Sequence, residues 1–143
     1  MVLKILIFIV LGVTVISCGS AKLSASTPDS TETYKKVVVN KLGEGVLYIA
    51  NKSNSYVLCI KETKGSSLQP RNNINYLVIK LSDNTIALEN KVDGGTVNWF
   101  SETEIEVYRT PGIMRDDQTR DDFITLYNVE TGKSYPKNLK QTH

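Results

Sequence analysis

The sequence predicts an all-β fold: a single small antiparallel sandwich or barrel of about seven to nine short strands in meander order. Three observations predict it. From Tyr34 onward, short runs rich in Val, Ile, Leu and Tyr are separated by Gly, Asn, Asp or Ser. Within the central runs the apolar side chains fall two apart, the period of a strand with one covered face. The breaks are short and carry residues that tolerate positive φ, which suits hairpins between consecutive strands.

The expected strands are 34–41, 45–50, 56–62, 74–81, 85–91, 96–100, 103–109, 123–129 and a short 133–135. Strand 34–41 holds Tyr34 and Val37-Val38-Val39, with Lys35, Lys36 and Lys41 as a solvated edge that discourages strand pairing. Gly43 and Gly45, then Asn51 to Asn54, bracket the next strand. Strand 56–62 is apolar on both faces, which predicts a central position with Cys59 as a small buried hydrophobe. Turns at Ser82-Asp83-Asn84, Asp93-Gly94-Gly95 and Glu130-Thr131-Gly132 join later neighbours. The expected core is Leu77, Ile79, Leu81, Ile86, Leu88, Val97, Trp99, Ile105 and Val107. No helical period stands out after residue 18. A chain of this size buries roughly 60 to 70% of its unfolded surface, enough for one domain.

The chain opens differently. Lys4 precedes the run Ile5 to Ile16, apolar apart from Gly12 and Thr14, the layout of a secretory signal peptide. As a helix that run reaches roughly 18 Å, short of the ~30 Å of bilayer hydrocarbon. Read alone, the following cysteine is equally at home at the end of a plain signal peptide or in a buried strand. Val15-Ile16-Ser17-Cys18-Gly19, however, resembles the lipobox of bacterial lipoproteins. The resemblance covers about the first twenty residues. It implies that the Cys18 thiol carries diacylglycerol, that cleavage falls just before Cys18, and that the new amine is acylated. Two or three acyl chains anchor stably where one binds marginally, so the implied partner is a membrane. Gly19 stands where Asp resembles an inner-membrane retention signal, which favours the outer membrane over the inner membrane of a bacterial envelope.

The expected organisation is a signal peptide at 1–17, a lipidated cysteine and flexible tether at 18–33, a β domain at 34–136 and a tail at 137–143. The stretch Gly19 to Thr33 holds seven Ser or Thr in fifteen residues and too little apolar surface to order itself. Within it Asp29-Ser30-Thr31 resembles the acceptor of a bacterial O-glycosylation system, making Ser30 a candidate modification site; a plain solvated linker is the other reading. After cleavage Cys59 has no intramolecular disulfide partner, so the domain rests on its core.

The chemistry-bearing residues are few. The one histidine, His143, is terminal, which argues against Ser-His-Asp, Cys-His and histidine-rich metal arrangements. No glycine-rich phosphate loop precedes a helix. The segment 111–122, "PGIMRDDQTRDD", is longer than a hairpin loop needs to be. Asp116, Asp117, Asp121 and Asp122 offer oxygen ligands for Ca²⁺ without the EF-hand spacing, while Arg115 and Arg120 neutralise them in a self-paired loop or meet a partner. Glu102, Glu104 and Glu106 alternate with Ile105 and Val107, which points them at solvent, where nothing raises a pKa for acid catalysis. Trp99 falls on the inner face, and Tyr108 on the outer face is the better contact candidate.

Residues 83–130 carry eleven acidic and four basic side chains, a net of −7, against +8 for the rest of the chain after Cys18. That split makes a dipole only if the blocks occupy different faces. No Lys/Arg stripe with interleaved aromatics supports nucleic-acid binding. The expected function is therefore a non-catalytic, lipid-anchored envelope module binding a protein or a cell-wall or surface glycan. A Ca²⁺ module or cation-dependent enzyme using loop 115–122 is the alternative.

Overall fold

The structure, a computed structural model, describes residues 30–140. The expected signal peptide, the lipid site at Cys18, most of the tether and His143 lie outside the described residues, and the side chain of Ser30 is likewise not described.

Two four-stranded antiparallel sheets form the domain, and in each the chain order is the spatial order. The first runs β1 (Leu47–Ala50), β2 (Tyr56–Thr63), β3 (Asn73–Lys80) and β4 (Thr85–Asp93); the second runs β5 (Gly95–Trp99), β6 (Glu104–Arg109), β7 (Ile124–Asn128) and β8 (Ser134–Pro136). Their inner faces share one core. Tyr56, Leu58, Ile74, Tyr76, Val78 and Val92 come from the first sheet, and Val97, Ile105 and Val107 from the second, with Val129 beside them. The all-β expectation holds, as a sandwich.

Segment 34–41 is not a strand. It lies in helix α1 (Ser30–Leu42), which also takes up residues 30–33 of the expected tether. Tyr34 and Val38, four apart, are buried, and Val37 and Leu42 pack beside them, a helical stripe. The stripe covers Val57, Cys59, Leu77 and Ile79 on the outer face of the first sheet. Three consecutive valines favour a strand by fractions of a kcal/mol each, whereas burying an aliphatic side chain is worth about 1.5–3 kcal/mol, so the need for a cover decides the conformation. The helix ends at Gly43, whose φ is 78° and whose N–H donates to the Val39 carbonyl at 2.8 Å.

The layers are therefore helix, sheet, sheet, and the central strands are covered twice. In β2, Tyr56 and Leu58 face the second sheet while Val57 and Cys59 face α1, all of them buried. Cys59 is the small buried hydrophobe that was expected, and burial pushes its thiol from 9.0 up to about 12. In β3, Leu77 and Ile79 prove to be core residues under α1, and the sandwich core takes Ile74, Tyr76 and Val78 instead. Leu81 and Ile86 flank the α1 cluster, and Leu88 and Trp99 flank the sandwich core, each partly buried.

The chain crosses between sheets at Gly94-Gly95. A Cβ on Gly95, with its φ of 137°, would lie 1.9 Å from the Tyr108 carbonyl oxygen, so only glycine fits this crossing. At the opposite end hydrogen bonds staple the sheets. The Trp99 indole N–H donates to the Ile49 carbonyl at 2.8 Å, and the Ser53 N–H to the Glu102 carboxylate at 2.9 Å. Asn51, only 4% exposed, donates to the Glu102 carbonyl at 2.8 Å and to Ser55 Oγ at 2.9 Å, and its own carbonyl oxygen accepts the Ser55 and Tyr56 N–H groups. Every hydrogen-bonding atom of this buried amide is satisfied, as burial requires.

Asn51→Ala leaves the Tyr56 N–H without its side-chain acceptor and is expected to lower unfolding free energy by about 2–3 kcal/mol in urea titration. The raised Cys59 thiol pKa means the unfolded chain ionises first as pH rises. The Cys59 contribution to stability is therefore constant below pH 9.0 and is lost between 9.0 and about 12. Urea midpoints of Cys59→Ala across that range are expected to fall less steeply than those of the parent.

Candidate functional site

Two places deserve comparison: the outer face of the second sheet, where the aspartate loop lies, and the open end of the sandwich, where Arg71 and Arg109 meet. The register of β6 with β7 places Glu104, Glu106 and Tyr108 on the outer face, with Ile124 and Leu126 beside them. Sequence alternation points these glutamates at water. The structure corrects that, because helix α2 (Lys137–Lys140) and a 3-10 turn at Arg120–Phe123 pack against this sheet, and β8 brings Tyr135 beside Leu126 on the same face. Glu104 is 8% exposed and accepts the Tyr135 hydroxyl and the Ser101 hydroxyl. Glu106 and Asp121 share the Lys137 ammonium, at 3.0 and 3.2 Å. Hydrogen bonding to Glu106, then to Asp121, holds that lysine above its usual pKa against the effect of burial. The Lys137 ammonium also lies 5.7 Å from the Phe100 ring centroid.

The four aspartates do not converge on one point. Asp116 and Asp117 stand on the exposed stretch of the loop, with Arg115 3.8 Å from Asp117. Asp121 goes to Lys137, and Asp122 accepts the Thr119 N–H at 2.7 Å and the Asn138 amide at 3.1 Å. Those bonds hold the Asp122 carboxyl below its ordinary range, the Thr119 N–H contributing most. Among the described residues no group of three or more His, Cys, Asp or Glu side chains is placed to hold a metal ion. Tyr108 and Arg120, both expected to meet a partner, meet each other: the guanidinium lies 4.5 Å from the ring centroid. Of the expected contact residues, Arg115 alone is exposed without such cover.

The open end is the more unusual place. Beyond Val107 the inner face of the second sheet continues with Arg109, and beside it with Thr125 and Tyr127 from β7. These residues, with Arg71, Thr110, Pro111, Gly112, Asp122 and Phe123, line a cleft of about 470 Å³, within the range of small-ligand sites. Arg71 reaches across from the loop before β3 and donates to the Thr110 carbonyl at 3.0 Å and to the Pro111 carbonyl at 3.3 Å, so it ties loop 64–72 to loop 110–122. Those two loops carry three exposed large apolar side chains, Leu68 at 97%, Ile113 at 87% and Met114 at 53%. In the core that the cleft residue Tyr127 flanks lies Tyr76, a buried tyrosine whose hydroxyl has no hydrogen-bond partner among the described residues. Burial raises its pKa, the Tyr127 hydroxyl adds to the rise, and the Arg109 charge opposes it.

Sequence reasoning missed Arg71, Arg109 and Tyr76. A signal existed for one of them: Arg109 sits two residues past Val107 on the alternating inner face, where an apolar residue would continue the core. The arrangement can recognise an anion on an apolar body. Its one carboxylate, Asp122, is already bonded within its own loop. Comparison with family models, curated proteins and solved structures finds no match for this chain. Nothing positive points to an enzymatic activity.

Lys137→Met removes the cation between Glu106 and Asp121 and is expected to loosen the loop, so that trypsin cuts after Arg115 and Arg120 several-fold faster than in the parent. The stabilisation from Asp122 is present above pH 3.8 and is lost as pH falls through its lowered folded value. Asp122→Asn is therefore expected to lower the urea midpoint at pH 6 and to converge with the parent as the pH approaches 2.

Proposed function

We propose that the chain is an exported, lipid-anchored module of a bacterial cell envelope, outer membrane favoured, whose non-catalytic β domain binds a protein or envelope glycan at the open, loop-bearing end of the sandwich. The anchoring half of this reading rests on the run Ile5 to Ile16 and the Val15–Gly19 resemblance to a lipobox. Helix α1 begins twelve residues after Cys18, so a short stretch of chain separates the proposed anchor from the domain.

The binding half is carried by one observation. Leu68, Ile113 and Met114 are held out in solvent on two loops that the Arg71 side chain joins beside a cleft. Large apolar side chains gathered in one region of surface, with arginine among them, suit a contact that water leaves on binding. The outer face of the second sheet supports binding less well, because Lys137, Asn138 and Tyr135 already engage its charged groups.

The test uses the full chain made with its own leader in a bacterium. Mass spectrometry of the membrane fraction is expected to find Cys18 at the new N-terminus carrying acyl chains, and Cys18→Ala to leave that fraction. Crosslinking in intact cells is expected to yield a defined adduct that the double variant Ile113→Ser, Met114→Ser loses and that Val39→Ser on helix α1 keeps. An uncut precursor with a free thiol contradicts the anchor. An adduct unaffected by the loop variant contradicts the binding end.

A further inference from the structure

The geometry points to the cleft between Arg71 and Arg109 as a carboxylate subsite, taking the acid end of a ligand whose apolar body lies against Phe123 and Tyr127. This deepens the reading of the open end as the binding end and rests on it.

Two guanidinium groups line one small cleft, one from the loop before β3 and one from the end of β6. Arg71 is fixed in place, because two of its N–H groups donate to the Thr110 and Pro111 carbonyls; three of its five donors remain for a ligand. Its stem runs alongside Gly94, where an added Cβ would sit 3.2 Å from Arg71 Cδ, and its Nη2 lies beside Gly112, so two glycines leave room for the side chain. Arg109 stands opposite Gly95 in the β5–β6 ladder, and among the described residues no carboxylate forms an ion pair with it. Asp122, on the rim, spends its oxygens on Thr119 and Asn138. The lining therefore carries two guanidinium charges against one committed carboxylate.

A second, independent observation is the Tyr76 hydroxyl. Tyr76 is almost wholly buried in the core cluster that Tyr127 flanks, and its hydroxyl has no partner among the described residues. Buried polar groups are nearly always paired, so a lone hydroxyl behind the cleft residue Tyr127 marks a place where an acceptor belongs. A carboxylate offers about four lone-pair positions in a plane, which suits a guanidinium on each side and a hydroxyl behind. Phe123 and Tyr127, both partly buried, supply apolar walls for the rest of the ligand. A neutral ligand of the same shape would leave the guanidinium donors without a charged acceptor.

The test is an NMR titration of the full-length chain in detergent micelles with three probes at matched ionic strength: N-acetylphenylalanine, its neutral carboxamide and inorganic phosphate. N-acetylphenylalanine is expected to shift the backbone amides of residues 109–112, 125 and 127 saturably. The carboxamide is expected to bind about tenfold more weakly, the factor set by losing one charge-assisted contact. Arg109→Gln, an exposed substitution that leaves the core intact, is expected to weaken the acid about tenfold and leave the carboxamide unchanged. Tyr76→Phe, which keeps the ring, is expected to weaken the acid by a smaller factor. Equal binding of acid and carboxamide, no saturable shift at this cleft, or tighter binding of phosphate than of the acid overturns the inference. Each of those outcomes leaves the crosslinking result at Ile113 and Met114 standing by itself, so failure of the subsite and failure of the binding end are separately visible.

Discussion

Everything in this domain is arranged around a pair of strands whose central residues have no solvent face. In β2 and β3 successive residues alternate between the α1 cluster and the sandwich core, and Val57, Leu58, Cys59, Leu77, Val78 and Ile79 are all buried. A strand apolar on both sides needs two covers, which here are a helix on one side and a second sheet on the other. The meander of the first sheet, the crossing at Gly95 and the position of α1 at the start of the domain all serve that need. With no disulfide at Cys59, the two hydrophobic clusters are what holds the layers together.

Polar groups divide the remaining surface into finished and unfinished regions. At one end Asn51, Trp99 and Glu102 knit the sheets together with every atom of the buried amide used. Across the outer face of the second sheet, Lys137 does for Glu106 and Asp121 what a metal ion would do for a carboxylate cluster. At the open end the pattern reverses: guanidinium donors to spare and apolar loop residues in water, with a core hydroxyl behind Tyr127 that has no partner among the described residues. A folded chain tolerates such a combination where a partner completes it.

Much of the sandwich was legible in the sequence, because period two and short turns are local properties. The eight observed strands lie within a residue or two of the expected ones from β1 onward. The double cover of β2 was readable from Tyr56 to Ile60, which alternate without a polar side. Helix α1 was not, since Val37-Val38-Val39 favours a strand and only the bare face of the sheet beneath turns it into a helix. The buried Glu104 escaped notice for the same reason: its cover, Tyr135, comes 31 residues later, with α2 directly after it. The cleft is less legible still, because Arg71 and Arg109 stand 38 positions apart and become neighbours only when the two sheets meet. Long-range closure of this kind leaves no trace in spacing.

Native-state hydrogen exchange, read residue by residue, bears most directly on the doubly covered strand pair. If β2 and β3 are sealed on both sides, the amides of residues 57–60 and 76–79 exchange last and only through global unfolding, while those of α1 slow with them to within about a factor of ten because the helix is part of the seal. Rapid exchange throughout residues 34–42 while β2 and β3 stay protected would show that the helix is no cover at all, and the layered account would fail with it.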